Sequence, residues 1–371
     1  MRRARAGRSG MADRERGRIS MTAVYGILHL LVDGMCALAM FGRFLPRGNR
    51  PFSILIYNFC AFALQMPLGV ALDMLWREKG GRRQDFSFLF AAAGVFCTIA
   101  GVFAHPAVLG IGNALFHVGG GVGTIREDVL GARRGKGLGV FVAPGALGLY
   151  LGTLAGKGGF WQPWAMVAGG LMVLLCAWPG YCLTRKNGAR EEYALYWGGK
   201  KEPPGEKDMR SVMLCCFLVV ILRSYVGMAV RFPWKSGIPA GLLAVLAIVG
   251  GKTAGGFAAA RYGFVRAVAV SLGLSAVCFL FSAAMPAGLW ALFLYNMTMP
   301  VTLYWMVCCM PQMPGFAFGF LTFALFLGFV PGYFGLLPES GGNLLGCAGS
   351  AVSLLLLAAG YLGQGGGKRD F

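Results

Sequence analysis

The chain is a succession of apolar runs, each about as long as a helix must be to cross a bilayer. The runs lie at 21–42, 52–75, 87–104, 107–125, 138–156 and 162–183, then at 211–230, 239–260, 266–285, 288–308, 315–335 and 344–362. A span needs about 20 apolar residues, so twelve transmembrane helices are predicted. Composition points the same way: 57% of the 371 residues are hydrophobic and 13% are charged, where a soluble domain carries about 25% charged residues. An ordinary soluble enzyme, a disordered chain and a nucleic-acid binder are thereby excluded. The first run follows an arginine-rich head, as a signal peptide would. It is too long for one, holds His29 and Asp33, and lacks a small-residue cleavage site, so it is read as a retained helix.

The net charge of +19 becomes an orientation once the basic residues are sorted by loop. The head, the links after the second, fourth and eighth runs, the middle loop and the tail together hold twenty-six of the Lys and Arg residues. The opposite side holds six: Arg43, Arg47, Arg50, Lys157, Arg231 and Lys235. The positive-inside rule therefore puts both termini in the cytoplasm of a multi-pass cell-membrane protein. Inserting or deleting one helix would scramble this bias.

The only long polar stretch between runs, 184–210, reads as a cytoplasmic linker. It divides the chain into a basic N-terminal segment (1–20), a six-helix bundle (21–183), a second six-helix bundle (211–362) and a tail (363–371). The halves echo each other: Gly139, Leu147, Gly148 and Gly152 recur with identical spacing as Gly319, Leu327, Gly328 and Gly332, the mark of an internal repeat. Of eleven cysteines, eight lie inside apolar runs, and Cys182, Cys308 and Cys309 lie at their ends. Buried thiols are expected rather than a disulfide framework, and no CxxC or Cys/His cluster argues for a metal.

Twelve runs as six plus six resemble the major facilitator superfamily, and three local features strengthen the resemblance. The second run ends Gly69-Val-Ala-Leu-Asp73, followed by Arg77, Arg82 and Arg83, similar to the family's loop signature of glycine, acid and basic residues. The eighth ends Gly256-Phe-Ala-Ala-Ala260-Arg261-Tyr-Gly263-Phe-Val-Arg266, keeping Arg and Gly but with Ala260 in place of the acid. Pro144-Gly145 resembles the antiporter signature of drug-efflux members. Gly110-Ile-Gly-Asn113-Ala-Leu-Phe-His117 is similar to the corresponding helix of the fosmidomycin-resistance branch, which continues with Pro and an acid where this chain has Val118 and Gly119. The resemblance implies an all-α membrane fold of two pseudo-symmetric bundles around a central cavity lined by helices one, four, seven and ten.

Ionisable residues inside a bilayer cost about 2.5–3.5 kcal/mol each by insertion scales and are functional candidates by default. His29 and Asp33 share one face of the first helix, and Asn113 and His117 one face of the fourth. Arg223 and Tyr225 lie near the centre of the seventh, and Tyr295 and Asn296 at mid-span on the tenth. Asp33, with His29, is the candidate proton-coupling site; a structural ion pair of Asp33 with Arg223 or Lys252 is the competing reading. Asn113, His117, Arg223, Tyr225, Lys252, Tyr295 and Asn296 are the candidate substrate contacts. His29 and His117 equally suit hydrogen-bonded packing, and Lys252 also suits snorkelling to the cytoplasmic surface. Asn58 and Gln65 are expected to hydrogen-bond between helices. Asp73, Arg82, Arg83 and Arg261 are gate candidates, the acid facing a neighbouring helix terminus. Trp161, Trp164 and Trp234 are expected at the membrane interface.

One buried acid against two buried bases expects an anionic substrate to complete the site. The resulting expectation is a monomeric, proton-coupled secondary transporter exporting a small organic molecule. Two alternatives stand: a symporter importing an anionic nutrient, and an uncoupled lipid handler or transporter-like receptor. No catalysis and no cofactor are expected. There is no GxxxxGK[ST], GxSxG or HExxH sequence, and Gly250-Gly251-Lys252-Thr253 lies within an apolar run without the spacing of a phosphate loop.

Overall fold

The structure, a computed structural model, describes residues 2–47, 49–75, 78–79, 82–83, 85–130, 134–159, 161–185, 206–338 and 341–363. Residues 186–205 and 364–371, which make up most of the expected linker and tail, lie outside the described residues. In chain order the helices are α1 (Met21–Arg47), α2 (Arg50–Leu75), α3 (Ser87–Phe103), α4 (Pro106–Asp128), α5 (Lys136–Lys157) and α6 (Trp161–Cys176). They continue as α7 (Met209–Ala229), α8 (Gly237–Tyr262), α9 (Phe264–Leu280), α10 (Met285–Cys309), α11 (Pro314–Tyr333) and α12 (Gly342–Leu362). Between α2 and α3 a two-residue ribbon pairs β1 (Glu78–Lys79) antiparallel to β2 (Arg82–Arg83).

Each of the twelve apolar runs is a helix, and nine of the twelve are long and apolar enough to cross a membrane. The three shorter ones are α3, α6 and α9. At 17 residues, α3 and α9 reach about 25 Å, somewhat less than a bilayer core of about 30 Å. The helix of α6 runs on to Arg185.

The helices are held together by close approach of glycines, as expected where lipid removes the hydrophobic drive for association. The repeated glycines do corresponding work in the two halves of the sequence. On α5, Gly148 and Gly152 lie against the carbonyls of Leu30 and Gly34 of α1, while Gly139 meets Thr253 and Gly256 of α8. On α11, Gly328 and Gly332 lie against Ile221 and Met228 of α7, while Gly319 meets Gln65 of α2. Thus α5 packs on α1 and crosses to α8, as α11 packs on α7 and crosses to α2. The repeat is visible in the contacts as well as in the spacing.

Three departures from regular helix shape the interior. One π-helical turn occupies Met40–Phe44 in α1 and another Phe59–Ala63 in α2. The third is a break in α5 between Val142 and Pro144, where proline removes an amide donor and crowds the preceding turn. At the end of α3, Arg43 donates to the carbonyls of Val102 and Phe103, at 2.5 and 2.7 Å, neutralising the negative end of that helix. Trp161, the first residue of α6, is buried, packed against Gly42 and 5.8 Å from the Arg43 guanidinium. Trp164 is exposed, and Trp234 donates to the carbonyl of Ser282 at 3.0 Å. Cys36, Cys60, Cys176 and Cys216 are buried thiols.

Candidate functional site

A cavity of about 480 Å³ lies between α1, α2, α4 and α5 on one side and α7, α8, α10 and α11 on the other. Its size falls in the range of small-molecule sites. The two sides carry unlike chemistry.

On the first side the four-residue spacings bring two helices into register. His29 and Asp33 of α1 face Asn113 and His117 of α4, and all four side chains meet. Asn113 Nδ2 donates to Asp33 Oδ1 at 2.9 Å. His29 Nε2 lies 3.2 Å from Asp33 Oδ2, and His117 Nε2 lies 3.6 Å from Asp33 Oδ1. The two Nε2 atoms are 2.8 Å apart. Each ring is anchored by its other nitrogen: His29 Nδ1 donates to the carbonyl of Phe141 at 2.7 Å, and His117 Nδ1 to the carbonyl of Asn113 at 2.8 Å.

The break in α5 makes room for this cluster. A Cβ on Gly145 would collide with His29 Nε2 and Asp33 Oδ2, so only glycine leaves the space. Phe141, whose carbonyl receives His29, precedes the break, and so does Val142, whose carbonyl lies 3.4 Å from Lys252 Nζ. Pro144-Gly145 therefore has a local role that does not depend on transport direction.

The second side is cationic. Arg223 of α7 is buried, and no described residue pairs with its Nη1. Lys252 of α8 lines the cavity and turns towards α5, not to the surface. Ser224 donates to the carbonyl of Leu325 at 2.8 Å, and Asn296 to its own helix at Leu292, also 2.8 Å. Asp33 makes its close contacts with the histidines and Asn113, so the competing ion pair with Arg223 or Lys252 is not formed.

Other expectations need correction. Tyr225 and Tyr295 are not among the cavity-lining residues. Tyr295 is buried, its ring edge-on to Phe279 at 5.7 Å. Asn58 and Gln65 line the cavity but donate within α2, to Ile54 at 2.8 Å and Ala61 at 2.6 Å, rather than between helices.

At one end of the cavity α2 and α11 cross glycine on glycine, Gly69 against Gly315. There Asp73 accepts from the amides of Gly315 at 2.9 Å and Phe316 at 2.7 Å, capping α11 at its positive end. Arg261 is exposed, 5.6 Å from the Tyr262 ring. The side chains of Arg82 and Arg83 lie outside the described residues. The sequence reading did not single out Asp128, which ends α4 and accepts from the amides of Gly137 and Leu138 of α5, both at 2.9 Å. Nearby, Arg126 pairs with Asp85. The available signal was an acid ahead of a short link containing Gly131, Arg133, Arg134 and Gly135; in the structure Gly135 has φ 86°.

No family model and no curated protein matches the sequence. Solved structures do match. FucP, a major facilitator superfamily transporter in its outward conformation, aligns with a TM-score of 0.55 at 12% identity, over 92% of this chain and 98% of that one. A variant of the E. coli fucose:proton symporter FucP gives 0.57 at 12% identity over the same shares. The human organic anion transporter MFSD10 gives 0.49 at 16% identity, over 96% of this chain and 91% of that one. The chain has the major facilitator fold. In that fold's terms, the cavity stands between the first six and the last six helices, and the Asp73 end is where α2 meets α11.

Proposed function

We propose that the chain is a secondary active transporter that exports a small organic anion across the cytoplasmic membrane by alternating access, coupled to protons. It works as a monomer of two six-helix bundles, 21–183 and 211–362, joined by the linker 184–210. The observation that carries this reading is the buried guanidinium of Arg223 at the cavity wall, with no described partner for its Nη1. A buried, unpaired cation is costly, and a carboxylate, phosphate or phosphonate would satisfy it through a bidentate fork. Lys252 adds a second positive charge, while Asp33, His29 and His117 opposite supply groups able to hold a proton. The charge bias of the loops supports cytoplasmic termini and makes the Asp73 end the cytoplasmic one. Export is supported by the likeness of Gly110–His117 to the fosmidomycin-resistance branch.

Symport of an anionic nutrient is the second reading. It is favoured by proton-holding and anion-holding groups facing the same cavity, an arrangement that admits both ligands together. Uptake of a panel of organic anions into proteoliposomes, with an imposed pH gradient, tests both. Export by antiport predicts accumulation driven by a proton gradient opposite to the anion movement, and symport predicts the reverse polarity. Arg223→Ala is expected to abolish transport of every accepted anion at normal protein abundance. Unaltered transport in that variant would sink the anion site, and equilibration indifferent to the gradient would establish an uncoupled carrier.

A further inference from the structure

The tautomers of two buried histidines are set by the groups around them. A backbone carbonyl can only accept, so the nitrogen facing it must carry hydrogen. His29 Nδ1 faces the carbonyl of Phe141, and His117 Nδ1 faces that of Asn113. Both rings are therefore protonated at Nδ1. In neutral rings this leaves a bare lone pair on each Nε2, yet these atoms stand 2.8 Å apart with the carboxylate of Asp33 beside both. Three acceptors facing one another at such distances repel. One added proton between the nitrogens turns the closest of these contacts into a hydrogen bond, and Asp33 balances its charge.

We infer that the coupling proton is shared between His29 and His117, and that Asp33 is its fixed counter-charge rather than its carrier. This inference rests on the proton-coupled reading above and names the site of that proton. A proton placed on Asp33 would leave the two nitrogen lone pairs opposed at their 2.8 Å contact. A metal ion held by both Nε2 atoms at about 2.0–2.1 Å in tetrahedral geometry would space them roughly 3.3–3.4 Å apart. The observed spacing suits N–H···N.

The step is a simple proton transfer. The Nε2–H bond breaks, its electron pair stays on nitrogen, and the proton passes to water in the cavity that the cluster lines. No group is oxidised or reduced. After release the two lone pairs oppose each other, and one ring must turn or α1 must shift against α4. Because His29 is also tied to α5 through Phe141, the protonation state bears on the packing of three helices. The ionisable group that faces the pair on α1 is Asp33, with the Cys36 thiol beyond it at 3.6 Å from Asn113 Nδ2. Asn113 faces it on α4, and Lys252 from α8, with Arg223 of α7 across the cavity. From α5, Phe141 and Gly145 bring no ionisable group.

The chain holds three histidines, and the third, His105, is exposed, so it serves as an internal control. Nitrogen-15 NMR of histidine-labelled protein in nanodiscs, recorded from pH 5 to 9, reads each ring nitrogen. His29 and His117 are expected to keep Nδ1–H throughout. Their Nε2 signals should lie between the protonated and bare positions and move together in one single-proton step that the His105 signals do not share. Asp33→Asn should keep that step, because the carboxylate is the counter-charge and not the carrier. His117→Gln should abolish the shared Nε2 signal. Two Nε2 atoms bare throughout, two independent titrations, or loss of the step in Asp33→Asn would each overturn the inference. These readouts need no substrate. Gradient-driven anion transport without a shared histidine proton would remove this site and keep the transporter, whereas a shared proton without gradient dependence would keep the proton site and overturn its coupling to transport.

Discussion

Two helix crossings join the halves of the molecule, α2 with α11 and α5 with α8, and they are built alike but fastened differently. Both bring glycine onto glycine, Gly69 on Gly315 and Gly139 on Gly256. In both, a carboxylate accepts two amides at the start of a helix. At the first crossing the acid is Asp73 of α2 and the helix is α11, so the cap bridges the halves. At the second the acid is Asp128 of α4 and the helix is α5, so the cap stays within one half. Position 260 of α8, where a bridging acid would stand, is alanine. The α5–α8 crossing instead keeps contact along its length, from Gly139 and Gly256 to Tyr150, which touches Gly241 and donates to the carbonyl of Ile238 at 2.8 Å. Under the alternating access proposed above, one device placed on different sides of the divide would make a latch in one place and a splint in the other, with α2–α11 opening while α5–α8 serves as the pivot.

The sharpest way to break this comparison is to prevent the latch from closing. A side chain at Gly69 would collide with the backbone of Gly315, where no flexible group can yield. Gly69→Val is expected to raise deuterium exchange in segments 65–75 and 314–320 by more than about tenfold, since overpacking costs about 1–3 kcal/mol or more. Gly139→Ala should disturb its own crossing less, because the backbone carbonyls it meets, of Thr253 and Lys252, stand at 3.0 and 3.1 Å and need to give by only a few tenths of an ångström. Equal effects from the two substitutions would erase the distinction. Next in size is Asp73→Ala, which removes a cap of about 0.5–2 kcal/mol. Exchange at Gly315 and Phe316 should rise about tenfold while thermal stability falls little.

The same substitution within one half should behave in the opposite way. Asp128→Ala is expected to lower Tm by a few degrees through the same magnitude of lost cap, with no added exchange in 314–320. Increased exchange there would show that the α4–α5 cap also controls the latch. The smallest effect belongs to Tyr150→Phe. It removes one hydrogen bond, about 0.5–1.5 kcal/mol, and should raise exchange at 237–243 severalfold while leaving segment 65–75 unchanged.

The apolar runs of the sequence locate all twelve helices, because a bilayer-length stretch without charge has few other folds open to it. The i, i+4 spacings of His29 with Asp33 and of Asn113 with His117 also indicate shared faces, but only tertiary packing shows that the two faces meet. Arg223 and Tyr225 were grouped by depth along the helix. Two residues of helix turn them about 200° apart, so one faces the cavity and the other does not. Asn58 and Gln65 illustrate a different limit. The π-helical turn at Phe59–Ala63 lies between them, and it shifts the register in a way that a 3.6-residue pattern does not contain. The cap by Asp128 was hidden because a link of polar residues does not say which amides its neighbours will face.

The break before Pro144 leaves one further consequence. Adjacent residues, Phe141 and Val142, offer their carbonyls to His29 from the acidic side of the cavity and to Lys252 from the basic side. A single stretch of main chain is thus a shared mooring for both. In the transport proposed above, an anion that draws Lys252 away would loosen one line of that mooring, and the other line dictates where His29 carries its hydrogen, so that cargo and proton would sense each other without touching.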